Sequence, residues 1–123
     1  MGTWDSGNFD NDTAADHLYD IIDGLIKDIR EAMESPVELE ADEYWGNAVP
    51  CNVELLTLIG KQHYAGFHLP NSEEIVKWKE TFMNAWLGSI DGLEPKEDYK
   101  NERIKILNET FDGLIELSKE YEE

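Results

Sequence analysis

Four aspartates stand in the first sixteen residues, at Asp5, Asp10, Asp12 and Asp16. Oxygen donors at this density, helped by backbone carbonyls, suit a hard divalent cation. The spacing is not that of an EF-hand loop, which needs a glycine at its sixth position and a glutamate at its twelfth. The same carboxylates also suit the start of a helix, where the first amide groups lack partners. His17, His63 and His68 form no HExxH or Cys/His zinc spacing. Cys51 is the lone cysteine. Nucleophilic catalysis would require a base held beside its thiol, and Cys51 follows Pro50 amid acidic neighbours. Glu40, Asp42 and Glu43 cluster, as do Glu73 and Glu74, but among 28 carboxylates such groups arise as solvated faces. No serine elbow or glycine-rich phosphate loop occurs. These residues name no catalytic set, no metal ligand set and no cofactor.

The aromatic residues raise a different chemistry. Trp4 and Phe9 interrupt an otherwise polar, turn-rich opening, MGTWDSGNFDND, and are expected to fold back as plugs over one end of the domain. Trp78 and Trp86 lie eight apart, close to one helical face, and belong to the core. Trp45, beside an acidic run, is the candidate anchor for a partner.

Helices must position these groups. Leu18, Ile21, Ile22, Leu25, Ile29 and Met33 recur at helical spacing and predict a helix over residues 13–34. Asp12 is its expected N-cap, and Ser35-Pro36 ends it. Gly24 weakens this helix and is read as a close-contact point with a neighbour. Residues 39–61 carry a helical stripe through Val53, Leu56 and Ile59, interrupted by Pro50, so the segment is one kinked helix or two short ones. Gly60 is its expected stop. Asn71 or Ser72 caps a third helix over 72–87, residues 88–95 form a loop, and Ile104, Leu107, Phe111, Leu114 and Ile115 mark a last helix over 96–121. No period-two alternation marks a strand. The expected fold is all-α: one domain over residues 1–123, a compact bundle of four to five helices under an N-terminal lid loop.

The opening carries a recognisable pattern in Met1, Gly2, Thr3, Trp4, Gly7, Phe9, Asp10, Asn11, Asp12, Ala14, Ala15 and Asp16. It resembles the start of a family of small bacterial proteins, domain of unknown function 4259, with the form M-G-[TA]-W-G-x-G-x-F-[DE]-[ND]-D-x-A-x-D. Asp5 departs from it, standing where the family has glycine. The resemblance implies a helical chain of this length and brings no activity with it.

Charge narrows the function. The chain has 28 acidic and 10 basic residues in 123, a net of −18. Residues 1–60 hold 14 acids against Lys27 and Arg30 alone, a net of −12. Such a field repels nucleic acid and anionic membrane surfaces and attracts basic proteins. One cysteine excludes an internal disulfide and fits a reducing cytoplasm. No apolar run reaches the roughly 20 residues of a membrane span. The leading expectation is a non-enzymatic interaction protein, of the immunity type that neutralises a basic toxin. Trp4, Asp10, Asp12 and Asp16 of the opening motif would contact its partner, and Trp45 would be the anchor. The alternative is a small-molecule or divalent-cation binder, or a small hydrolase, using a pocket between helices. Homo-oligomerisation stays open.

Overall fold

The computed structural model describes residues 2–122, so Met1 of the opening pattern lies outside it. The first helix, α1, spans Asp12–Met33 and is capped by Asn11, not by Asp12. Asn11 has extended backbone (φ −157°, ψ 162°), and its side-chain oxygen accepts the amide of Ala14 at 2.8 Å. The amide of Asp12 donates to the carbonyl of Gly2 at 2.6 Å, which commits this residue to the opening loop. Its carboxylate still lies in the first turn, where the helix dipole favours an anion. Leu18, Ile22, Ile26 and Ile29 face the core. Ile21, expected among them, is 45% exposed. Gly24 touches no neighbour: a side chain there would meet open space, so it is not a helix contact.

Pro36 begins a 3-10 turn, Pro36–Leu39, that buries Leu39 completely. The second helix, α2, then runs without a break over Tyr44–Gly60. Pro50 has no N–H to give to the carbonyl of Gly46, and that loss falls within the first two turns of the helix. Two contacts compensate by fixing the helix start. Gly46 lies so close to the carbonyl of Glu40 that a Cβ would collide with it. Asn47 donates its side-chain amide to the carbonyls of Glu43 at 2.9 Å and Ala41 at 3.3 Å.

Asn71 caps the third helix, α3 (Ser72–Ser89), by accepting the amide of Glu74 at 2.9 Å. The following stretch, read as a loop, contains a 3-10 turn at Ile90–Leu93. The fourth helix, α4, spans Glu97–Tyr121. α4 packs on both α2 and α3, while α1 lies mainly against α2. Ile22, Val49, Val53, Leu56, Ile75, Phe82, Leu107, Phe111 and Leu114 are fully buried where the helices meet. Each such side chain stabilises the fold by about 1.5–3 kcal/mol. Phe82 and Phe111 meet at 5.4 Å between ring centroids, and Trp78 and Trp86 are buried as expected. Among the described residues the architecture is an all-α bundle of four helices. Among the described residues the only β feature is an isolated bridge between Thr3 and Asn11.

The connection between α2 and α3, residues 61–71, is unusually well fastened. Gly66 has φ +95°, and a Cβ there would strike the carbonyl of Ala15 in α1. Phe67 packs on Tyr121, and Ser118 donates its hydroxyl to the carbonyl of Pro70 at 2.7 Å. The Tyr121 hydroxyl donates to the carbonyl of Gly60 at 2.7 Å, which ties the end of α4 to the end of α2.

Candidate functional site

The opening loop is a closed tongue. The Thr3–Asn11 bridge forms its neck. The amide of Trp4 donates to the carbonyl of Asp10 at 2.8 Å, and the amide of Asp10 to the carbonyl of Gly7 at 3.1 Å. The Asp10 carboxylate accepts the Gly7 amide at 3.0 Å, and that of Asp5 accepts the Ser6 amide at 2.7 Å. A side chain at position 7 would collide with the Asp10 carboxylate. Most of the opening pattern is thus explained by loop closure. Trp4 does not act as a plug, because it is 52% exposed. Phe9 does fold back: it is half-buried and stacks on Tyr64. Asp16 is exposed on α1, beyond the tongue.

These acids do not converge. Among the described residues, no three His, Cys, Asp or Glu side chains come together in a way that could hold a metal ion. His68 stacks on Tyr19 at 4.1 Å and places Nε2 3.5 Å from Asp23, so it joins the 61–71 connection to α1. His63 stacks on Tyr121, and His17 is exposed on α1. Cys51 is exposed at an open depression of about 480 Å³ that it shares with Asp42, Glu43, Tyr44, Asn47, Ala48 and Asn52. No histidine lines that depression, and the carboxylates beside Cys51 there, Asp42 and Glu43, are exposed. No helix among the described residues is long and apolar enough to cross a membrane.

The surface has one feature of a different kind. Phe9, Leu18, Ile21, Leu58, Ile59, Gln62 and Tyr64 line a groove of about 330 Å³ between α1, α2 and the tongue. Its wall is apolar, with Gln62 the one residue bearing a polar side-chain amide. Ile21 and Leu58 form its lips and are 45% and 53% exposed. α2 carries a single charged residue, Glu54, in 17 positions. Its outward side adds Tyr44, 73% exposed, and Leu55, 44% exposed. Trp45, the anchor expected from sequence, is half-buried against the core and meets the Tyr44 ring edge-on at 4.9 Å. Sequence reasoning placed Ile21 in the core and passed over Leu58. The legible signal was a helix with one charge in a chain of net −18.

Ion pairs sharpen the charge asymmetry. Arg30 donates to both carboxylate oxygens of Glu74, at 2.7 and 3.0 Å. That hydrogen bonding to Glu74 raises the pKa of Arg30, against a smaller opposing effect of burial. With Arg30 so engaged, Lys27 is the one other cation in the first 60 residues. The acids paired with lysine side chains lie in the second half: Asp91 with Lys100, Asp112 with Lys79 and Glu116 with Lys119.

The chain matches no curated protein and no solved structure. A family model described as "Domain of unknown function (DUF4259)" matches residues 2–123, essentially the whole chain. The protein is therefore a member of the DUF4259 family.

Proposed function

We propose that this chain is a non-enzymatic acidic protein of the bacterial cytoplasm that binds a basic protein partner, in the manner of an immunity protein that neutralises a basic toxin. One observation carries the reading: exposed Leu55 and Leu58 of the sparsely charged α2, with exposed Ile21 of α1 across the groove from Leu58, are set in a half-chain of net −12, where Arg30 is already held by Glu74. Apolar surface supplies affinity at the centre of an interface, and a one-signed surround steers an oppositely charged partner and rejects others. The same field opposes phosphate backbones and anionic lipid surfaces. In this reading Trp4, Asp10, Asp12 and Asp16 contribute an exposed aromatic ring and acids from the tongue and α1, and Trp45 supports Tyr44 from behind.

The experiment is calorimetric titration of the chain with a panel of basic ribonucleases and deoxyribonucleases, beside acidic proteins of similar size, at low and high salt. Binding of a basic member that weakens as salt rises supports the reading. Equal binding of acidic and basic members, or binding of none, rejects it. The small-molecule alternative is favoured by the volume of the groove, which falls in the range of ligand pockets. Against it, Gln62 and the Tyr64 hydroxyl are the only lining side-chain groups that could orient a polar ligand there.

A further inference from the structure

We propose that the groove between α1 and α2 receives the apolar face of a cationic amphipathic helix. This deepens the proposed function, on which it rests, by assigning the place and the chemistry of the contact.

The mode of docking follows from the backbone. The described residues form no sheet, so there is no strand edge to which an extended peptide could add. Two helices with a trough between them accept another helix by ridge-and-groove packing. Leu58 and Ile59 line the groove from the last turn of α2, Gln62 follows just beyond the end of that helix, and Leu55 lies one turn before Leu58. A docked helix would present apolar anchors at i, i+3 or i+4, and i+7 to these side chains. Ile21 stands on the opposite lip, and the stacked pair Phe9 and Tyr64 closes one end.

The charges around the trough choose the occupant. Asp20 adjoins Ile21, and Asp28 lies seven residues, about two turns, further along the same side of α1. Glu54 stands one turn before Leu58, and Asp10 adjoins Phe9. Lys27, beside Asp28, and Lys61 are the cations next to these positions in sequence, against four carboxylates. A helix with Lys or Arg flanking its apolar stripe meets carboxylates on both sides. A second copy of this chain would set a net charge of −18 against −18 around the same trough, and like charges across an interface are costly. A cationic helix therefore fits better than self-association.

The test uses the full chain and a fluorescent Leu/Lys peptide of about 14 residues with helical periodicity. Its controls are a peptide of the same composition in scrambled order and an oligolysine of the same length. Anisotropy is expected to show the amphipathic peptide binding at least ~10-fold more tightly than either control. Ile21→Ser with Leu58→Ser should abolish that preference while leaving the circular dichroism and melting curve near wild type, because both side chains are half-exposed. Asp20→Asn with Glu54→Gln should lower affinity and flatten its salt dependence. Salt-sensitive binding that ignores both peptide order and the Ile21/Leu58 substitutions overturns the groove assignment and leaves the acidic-partner reading standing. No binding of any cationic peptide overturns both. A dimer by light scattering that Leu58→Ser dissolves assigns the groove to a second copy and overturns the proposal.

Discussion

The phenyl ring of Phe9 lies stacked on the ring of Tyr64, with centroids 4.5 Å apart and planes inclined by 23°. This pair joins the opening tongue to the α2–α3 connection and forms the closed end of the apolar groove. Phe9→Ala removes the ring from a half-buried position. The expected cost is about 2 kcal/mol, below the range for a fully buried phenylalanine. Urea unfolding measures it. Amide exchange at Trp4, whose N–H is bonded to Asp10, should accelerate in the same variant.

Two glycines in adjacent helices should respond in opposite ways to alanine. Gly24→Ala adds a methyl group to a helix interior with open space around it, and should stabilise the fold by about 0.5–1 kcal/mol. Gly46→Ala drives a methyl group into the carbonyl of Glu40 and should cost about 1–3 kcal/mol. Thermal unfolding of the two single variants checks the pair. Two shifts of the same sign would contradict the packing described.

The cap of α1 separates two neighbouring residues. Asn11→Ala should cost about 1 kcal/mol, because the Ala14 amide loses its acceptor. Asp12→Ala keeps the Asn11 side-chain bond and the Asp12–Gly2 backbone bond, and loses only a first-turn charge of about 0.3–1 kcal/mol. Chemical denaturation of both variants ranks the residues. Raising the salt concentration should shrink the Asp12 effect and leave the Asn11 effect nearly unchanged.

Burial raises the pKa of Tyr121 above its ordinary value of 10.0, with a further contribution from Glu120. The folded state therefore holds the phenolic proton more firmly than the unfolded chain does. Its contribution to stability is complete below pH 10.0 and is lost as pH climbs through the raised value. Wild type and Tyr121→Phe should differ in melting temperature at neutral pH and converge at strongly alkaline pH. A gap that stays constant there would remove the Tyr121–Gly60 hydrogen bond as its source.

The helices were legible because their apolar residues recur with the helical period, and each predicted span ends within about two residues of the observed one, apart from the start of α2 at Tyr44. Local pattern failed where distant backbone decides the outcome. Whether the chain continues through Pro50 depends on Gly46 seating against Glu40, a contact that no periodicity reveals. Asn11 and Asp12 are both good caps, and only the Gly2 carbonyl, which holds the Asp12 amide, distinguishes them. Ile21 shares an apolar stripe with Leu18 and Ile22, but that stripe is wider than the core it feeds. The surplus became the lip of the groove. Membership of a family of unknown function adds no residue roles, so the candidate site rests on surface chemistry.

Residues 61–71 grip several parts of the molecule at once: Tyr64 holds the tongue, Gly66 and His68 hold α1, and Phe67 and Pro70 hold α4. Surface connections ordinarily tolerate added length. Here one inserted residue would shift every later contact out of step and loosen all three partners together. The segment is thus less a tether than a keystone, and a protease given a choice of cutting places should pass it over.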